Sequence, residues 1–167
     1  MIHVCQIAGV KADVCRLEGY ANWFFLDSFV LSVANRGGTI DDAAFNPLKL
    51  TKTIDSCSPQ LMAVCCKGAS FGPLEIHVLE TSGSGISGKV HPIFKMKFGH
   101  LKVESWSIDK TTETIDLVYR QAACQFSQGK CDYKTLLTTY TDTPLLGFQL
   151  FTAADERKFR GGDWDGS

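Results

Sequence analysis

The residues best suited to chemistry are four histidines, His3, His77, His91 and His100, and seven cysteines, Cys5, Cys15, Cys57, Cys65, Cys66, Cys124 and Cys131. Imidazoles would move protons near neutral pH, and thiolates would attack electrophiles or hold a metal. Spacing argues against both. No His-x-His or His-x-x-x-His puts two imidazoles on one face, and no Cys-x-x-Cys offers a metal two adjacent ligands. Cys65 and Cys66 are neighbours in an expected helix, where successive side chains diverge by about 100°. The seven thiols therefore read as reduced, small hydrophobes, with no metal and no cofactor. Cys57 is the one thiol at a helix start, where the macrodipole would lower its pKa, although such positions are usually inert. No Gly-x-Ser-x-Gly elbow is present, and Ser84 sits in the turn SGSGISG, Ser82 to Gly88. That turn lacks the Gly-Lys-Ser/Thr ending of a phosphate loop and precedes a strand, so it reads as a hairpin loop. Asp41-Asp42, Asp163 and Asp165 read as solvated charge. The pattern points to a protein that works by surface and assembly, without catalysis.

The elements that would carry these residues are mostly strands. Leu48 and Leu50 alternate with Lys49 and Thr51, the period of a strand with one buried face. A short helix follows, with Ser58 as its cap, Pro59 at its first position, Gly68 as its left-handed stop and an apolar stripe of Leu61, Met62, Cys65 and Cys66. An opening strand is expected around His3 to Ile7, and Asn22 to Ala34 reads as one long strand bent or bulged at Asp27. The glycine-rich, acidic stretch Arg36 to Pro47 reads as a mobile loop. Strands are expected from Leu74 to Glu80 and from Ile93 to Phe98, the latter with Phe94, Met96 and Phe98 opposite Lys95 and Lys97. A bulge at Gly99-His100 would carry the chain on to Ile108, and a turn at Asp109-Lys110 would lead into the run Ile115, Leu117, Tyr119. Leu145 to Thr152 would add a last strand. Many short strands and one helix imply an antiparallel sandwich or small barrel.

At 167 residues, 44% hydrophobic, the chain supports one domain, placed at residues 1–154 with a frayed tail at 155–167. Seventeen basic and eighteen acidic residues give a net charge of −1, which disfavours nucleic acid as a partner. No segment approaches the roughly 20 apolar residues of a membrane span, and the N-terminus has no secretory signal pattern.

The stretch TKTIDSCSPQLMAVCCKG, Thr51 to Gly68, resembles the strand-to-helix signature of the hemolysin-coregulated protein (Hcp) family, the tube subunit of bacterial type VI secretion. In that family a Thr-Lys-x-x-Asp-x-x-Ser/Thr-Pro-x-Leu pattern leads into a single helix, and Thr51, Lys52, Asp55, Ser58, Pro59 and Leu61 fill it here. GVKAD at Gly9 to Asp13, NWFFLDSFVLSV, LEIHVLE, IFKMKFGHLKVESWSI and ETIDLVYRQAACQF are similar to further family segments, so the resemblance spans about residues 1 to 128. LLGFQL near Gly147 is weakly similar to a C-terminal family motif.

The resemblance implies a mainly β, phage-tail-tube-like fold with one flanking helix, and a homo-hexameric ring that stacks into an exported tube. It implies tube, spike and sheath components of the type VI system as partners, effectors in the lumen, and export from the cytoplasm without a signal peptide or membrane insertion. Subunit contacts are expected from the loop and the helix region, at Arg36, Gly37, Gly38, Asp41, Asp42, Phe45, Lys52, Asp55, Gln60 and Lys67. Two alternatives stay open: a monomeric adaptor on the same fold, and an effector with its activity in the C-terminal extension.

Overall fold

The computed structural model describes residues 1–38, 43–82, 89–128, 131–136, 139–140 and 148–149. The expected turn at 83–88, Asp41, Asp42 and the tail lie outside these residues, as does most of the expected strand at 145–152.

In chain order the elements are β1 (Ile2–Ile7), β2 (Phe24–Leu26), β3 (Ser28–Val30), β4 (Val33–Asn35), β5 (Ala43–Phe45), β6 (Leu48–Thr53), α1 (Ser58–Lys67), β7 (Leu74–Ser82), β8 (Lys89–Gly99), β9 (Lys102–Asp109), β10 (Thr112–Val118), β11 (Gln121–Gln128), β12 (Cys131–Leu136), β13 (Thr139–Tyr140) and β14 (Phe148–Gln149). They form a six-stranded sheet in the order β12-β11-β8-β7-β1-β2 and a four-stranded sheet in the order β3-β6-β10-β9. The pairs β4-β5 and β13-β14 stand apart as two-stranded sheets. Every pairing is antiparallel.

One core joins the two large sheets. Cys5, Ile7, Phe24, Leu26, Leu74, Ile76, Met96 and Phe98 come from the first, and Leu48, Leu50, Ile115 and Leu117 from the second. The result is the sandwich form of the expected fold, because the sheets stay open and do not close into a barrel. A second cluster of Val4, Cys15, Tyr20, Trp23 and Leu79 covers the other face of the six-stranded sheet. Double cover explains why Met96, Lys97 and Phe98 are all buried where the sequence alternates.

Asn22 to Ala34 is not one strand. It supplies β2, β3 and β4 to three different sheets. At Asp27 the chain leaves the first sheet: the Asp27 N–H donates to the Thr51 carbonyl, and its carboxylate accepts from the Thr53 hydroxyl at 3.1 Å. Asn22 lies before the strand, at φ 69°, where its side-chain oxygen accepts the Ala12 N–H. Gly99-His100 is likewise no bulge within a strand but a second corner between sheets, with His100 at φ 51°. The Asp109-Lys110 turn connects β9 to β10 as expected.

Candidate functional site

Strand β6 sends Leu48, Leu50 and Lys52 to the same buried face. Opposite it, β10 sends Glu113, Ile115 and Leu117 inward, and the register pairs Glu113 with Lys52. A lysine and a glutamate thus lie fully buried side by side, Nζ to Oε2 at 2.9 Å. Burying two charges is tolerable only when their remaining donors and acceptors are also met. Here they are met. The three Lys52 donors have three acceptors: Glu113 Oε2, Asp55 Oδ1 at 2.9 Å and Ser58 Oγ at 3.3 Å. Ser58 donates to Glu113 Oε2 at 2.6 Å, and Trp106 Nε1 donates to Glu113 Oε1 at 2.6 Å. Asp55 Oδ1 accepts from the Cys57 N–H and the Cys57 thiol, at 2.9 and 2.8 Å. The Phe24 ring lies 5.6 Å from Lys52 Nζ.

This network moors α1 to the strands. Ser58 is not a helix cap: its oxygen accepts from the Asp55 N–H at 3.0 Å and from the Lys52 ammonium, while its O–H donates to Glu113. The cap position is Cys57, without a side-chain capping bond. Pro59 stands in the first turn and Gly68 ends the helix at φ 61°, both as the sequence implies. The expected apolar stripe is narrower than its composition suggests: Leu61 is buried, while Met62 and Cys66 face outward. Gln60 adds a second mooring, accepting the Lys11 N–H at 2.9 Å and donating to the Lys11 carbonyl at 2.7 Å.

Burial alone would depress the Lys52 pKa, but hydrogen bonds to Glu113 and Asp55 outweigh it and hold the ammonium above its ordinary range. Burial, helped by the Asp55 hydrogen bond, pushes the Cys57 thiol up to about 12. The thiol stays protonated at neutral pH, so the helix-start position does not make a nucleophile. Both pKa values are raised in the folded state, so both contributions are complete at low pH and disappear as pH rises. For Cys57 the window runs from 9.0 to about 12. Urea midpoints are expected to fall between pH 8.5 and 11, less steeply in Cys57→Ala than in the parent; equal slopes would remove Cys57 as a cause.

The residues expected at subunit contacts divide into groups. Lys52 and Asp55 are engaged inside the subunit, and Gln60 ties the helix to the Lys11 backbone. Arg36, Gly37 and Gly38 lie exposed just beyond β4, and Lys67 is exposed in the last helical turn. Phe45 is half-buried at the base of the β4-β5 hairpin, edge-on to Tyr119 at 6.0 Å. Glu113 and Trp106 complete the network yet were not among the expected residues. Strand parity could have found Glu113, since it shares the inward set with Ile115 and Leu117.

The family model described as type VI secretion system effector, Hcp, matches residues 6–126. A search of curated protein sequences finds no significant match. Among solved structures, a type VI secretion system effector from Yersinia pestis has a TM-score of 0.68 at 13% identity, covering 81% of this chain and 98% of that one. Hcp2 from Salmonella typhimurium has a TM-score of 0.66 at 15% identity, covering 84% and 96%. The secreted protein Hcp3 from Pseudomonas aeruginosa has a TM-score of 0.62 at 14% identity, covering 81% and 97%. At these identities the structures speak for the fold, and the family model for descent. With the strand, buried lysine and proline-started helix inside the matched span, this chain belongs to the Hcp family of type VI secretion proteins.

Proposed function

We propose that this type VI tube protein closes into a hexameric ring, that rings stack into the exported tube, and that the lumen carries effector proteins. The observation that carries the reading is the pair of open sheets. Among the described residues, strands β2, β3 and β9 each end a sheet with one unpaired edge, the kind of edge that a neighbouring chain completes. One interface repeated head to tail closes a ring when its rotation divides the circle. The separate β4-β5 hairpin suits contact with a neighbour, and Arg36, Gly37, Gly38 and Lys67 are its exposed candidate contacts along with the helix. Asp41 and Asp42 belong to the same proposed contact region. Lys52, Asp55 and Gln60 would act on that interface from behind, by holding α1 in place, and Phe45 by seating the hairpin. The reading treats residues 1–154 as the assembling domain, which forms in the cytoplasm and leaves with the tube, beside spike and sheath partners. It requires no catalysis.

Native mass by light scattering, with negative-stain microscopy of the main peak, tests it. A ring of about six subunits is expected. A monomer across a wide concentration range would overturn the tube reading and leave the adaptor. Deleting residues 39–43 should lower ring yield without shifting thermal unfolding.

A further inference from the structure

Between the base of the β4-β5 hairpin and the ends of β9 and β10 lies a cleft of about 190 Å³, lined by Phe45, Asn46, Pro47, Glu104, Val118 and Tyr119. Its size decides the class of occupant. Pockets for whole small molecules run to about 300–1,000 Å³, so this one suits a single side chain. Its chemistry narrows the choice further. Phe45, Pro47 and Val118 offer apolar and aromatic wall. Glu104 is the one charged lining group, exposed and without an ion-pair partner among the described residues. Tyr119 is 4% exposed, and its hydroxyl is buried with no hydrogen-bond partner among the described residues. A buried orphan hydroxyl costs about 1–3 kcal/mol, and native structures rarely leave one without a reason.

A long apolar stem ending in a cation meets all three features at once. We infer that the cleft receives the lysine side chain of a docking protein partner, its methylenes against Phe45 and Pro47 and its ammonium between the Glu104 carboxylate and the Tyr119 hydroxyl. The ammonium donates to both oxygens and lies beside aromatic rings, where a cation gains further attraction. Phe45 packs edge-on against Tyr119 and is only half-buried, so it is the group that yields to bring the hydroxyl into the cleft. A carboxylate at the mouth excludes acidic side chains, and the small volume excludes a helix. Every lining residue belongs to one subunit, so the cleft is complete without a neighbour.

The test uses Nα-acetyl-lysine amide as the probe on the full chain, followed by amide NMR shifts at Asn46, Glu104 and Val118. Saturable shifts in the millimolar range are expected, weakening as salt rises. Nα-acetyl-norleucine amide keeps the stem and lacks the cation, and should bind about tenfold more weakly. Glu104→Gln should weaken the lysine probe by a similar factor. Tyr119→Phe should weaken it while leaving thermal unfolding unchanged or slightly higher, since it deletes an unpaired hydroxyl. Absence of saturable shifts up to 50 mM (~50-fold above a 1 mM dissociation constant), equal binding of the norleucine probe, or full binding by Glu104→Gln would each overturn the inference.

Discussion

Lys52→Met is expected to cost about 3–5 kcal/mol of folding stability, because it strands a carboxylate that has no access to water. Glu113 is fully buried and keeps only neutral donors once the ammonium is gone, from Ser58 and Trp106. Asp55 loses its cation too, although it is less deeply placed than Glu113. Against a total stability of about 5–15 kcal/mol this is a large loss. The mechanism is specific enough to predict its own rescue. In Lys52→Met/Glu113→Gln the charge disappears with its partner, and glutamine still offers an oxygen to Trp106 or Ser58. The double variant should therefore be more stable than Lys52→Met alone by about 1 kcal/mol or more, a clear failure of additivity. Urea unfolding of the parent, both single variants and the double variant measures it. Simple addition of the two losses would mean that the pair is not coupled.

Phe24→Ala and Phe25→Ala should differ several-fold, although the residues are adjacent. Strand β2 turns them to opposite faces. Phe24 is fully buried in the shared core, where it touches both the sheets and the Lys52 ammonium. Its truncation removes a large apolar side chain and leaves a cavity that both sheets would have to collapse to fill, which costs about 3–5 kcal/mol. Phe25 is 40% exposed. It loses only part of its transfer energy and leaves no enclosed void, so about 1 kcal/mol is expected. Thermal unfolding separates the two variants readily, and comparable losses would place Phe25 in a packed surface that the isolated subunit does not show.

Much of the site was present in local pattern. The alternation that buries Leu48 and Leu50 also buries Lys52, and the one that buries Ile115 and Leu117 also buries Glu113. A charged residue on the inward set of each of two strands is a sequence signal for a buried ion pair. The helix start and stop were legible because Pro59 and Gly68 act through their own backbone angles. Ser58 misled for the opposite reason. Its hydroxyl satisfies the expectations of a cap in isolation, yet its oxygen accepts from the Asp55 N–H and the Lys52 ammonium, and its O–H goes to a carboxylate 55 residues away.

By itself the sequence determined the β class, the helix α1 with its proline start and glycine stop, the inward sets of β6 and β10, and the family, since all of these follow from neighbours a few residues apart or from a contiguous motif. Only the tertiary structure decided that Asp27 and His100 are corners between sheets, that the sheets stay open, and that Lys52 meets Glu113 across 61 residues. Strand pairing is made by backbone groups that every residue carries alike, so side-chain pattern says which face is buried but not which strand lies alongside.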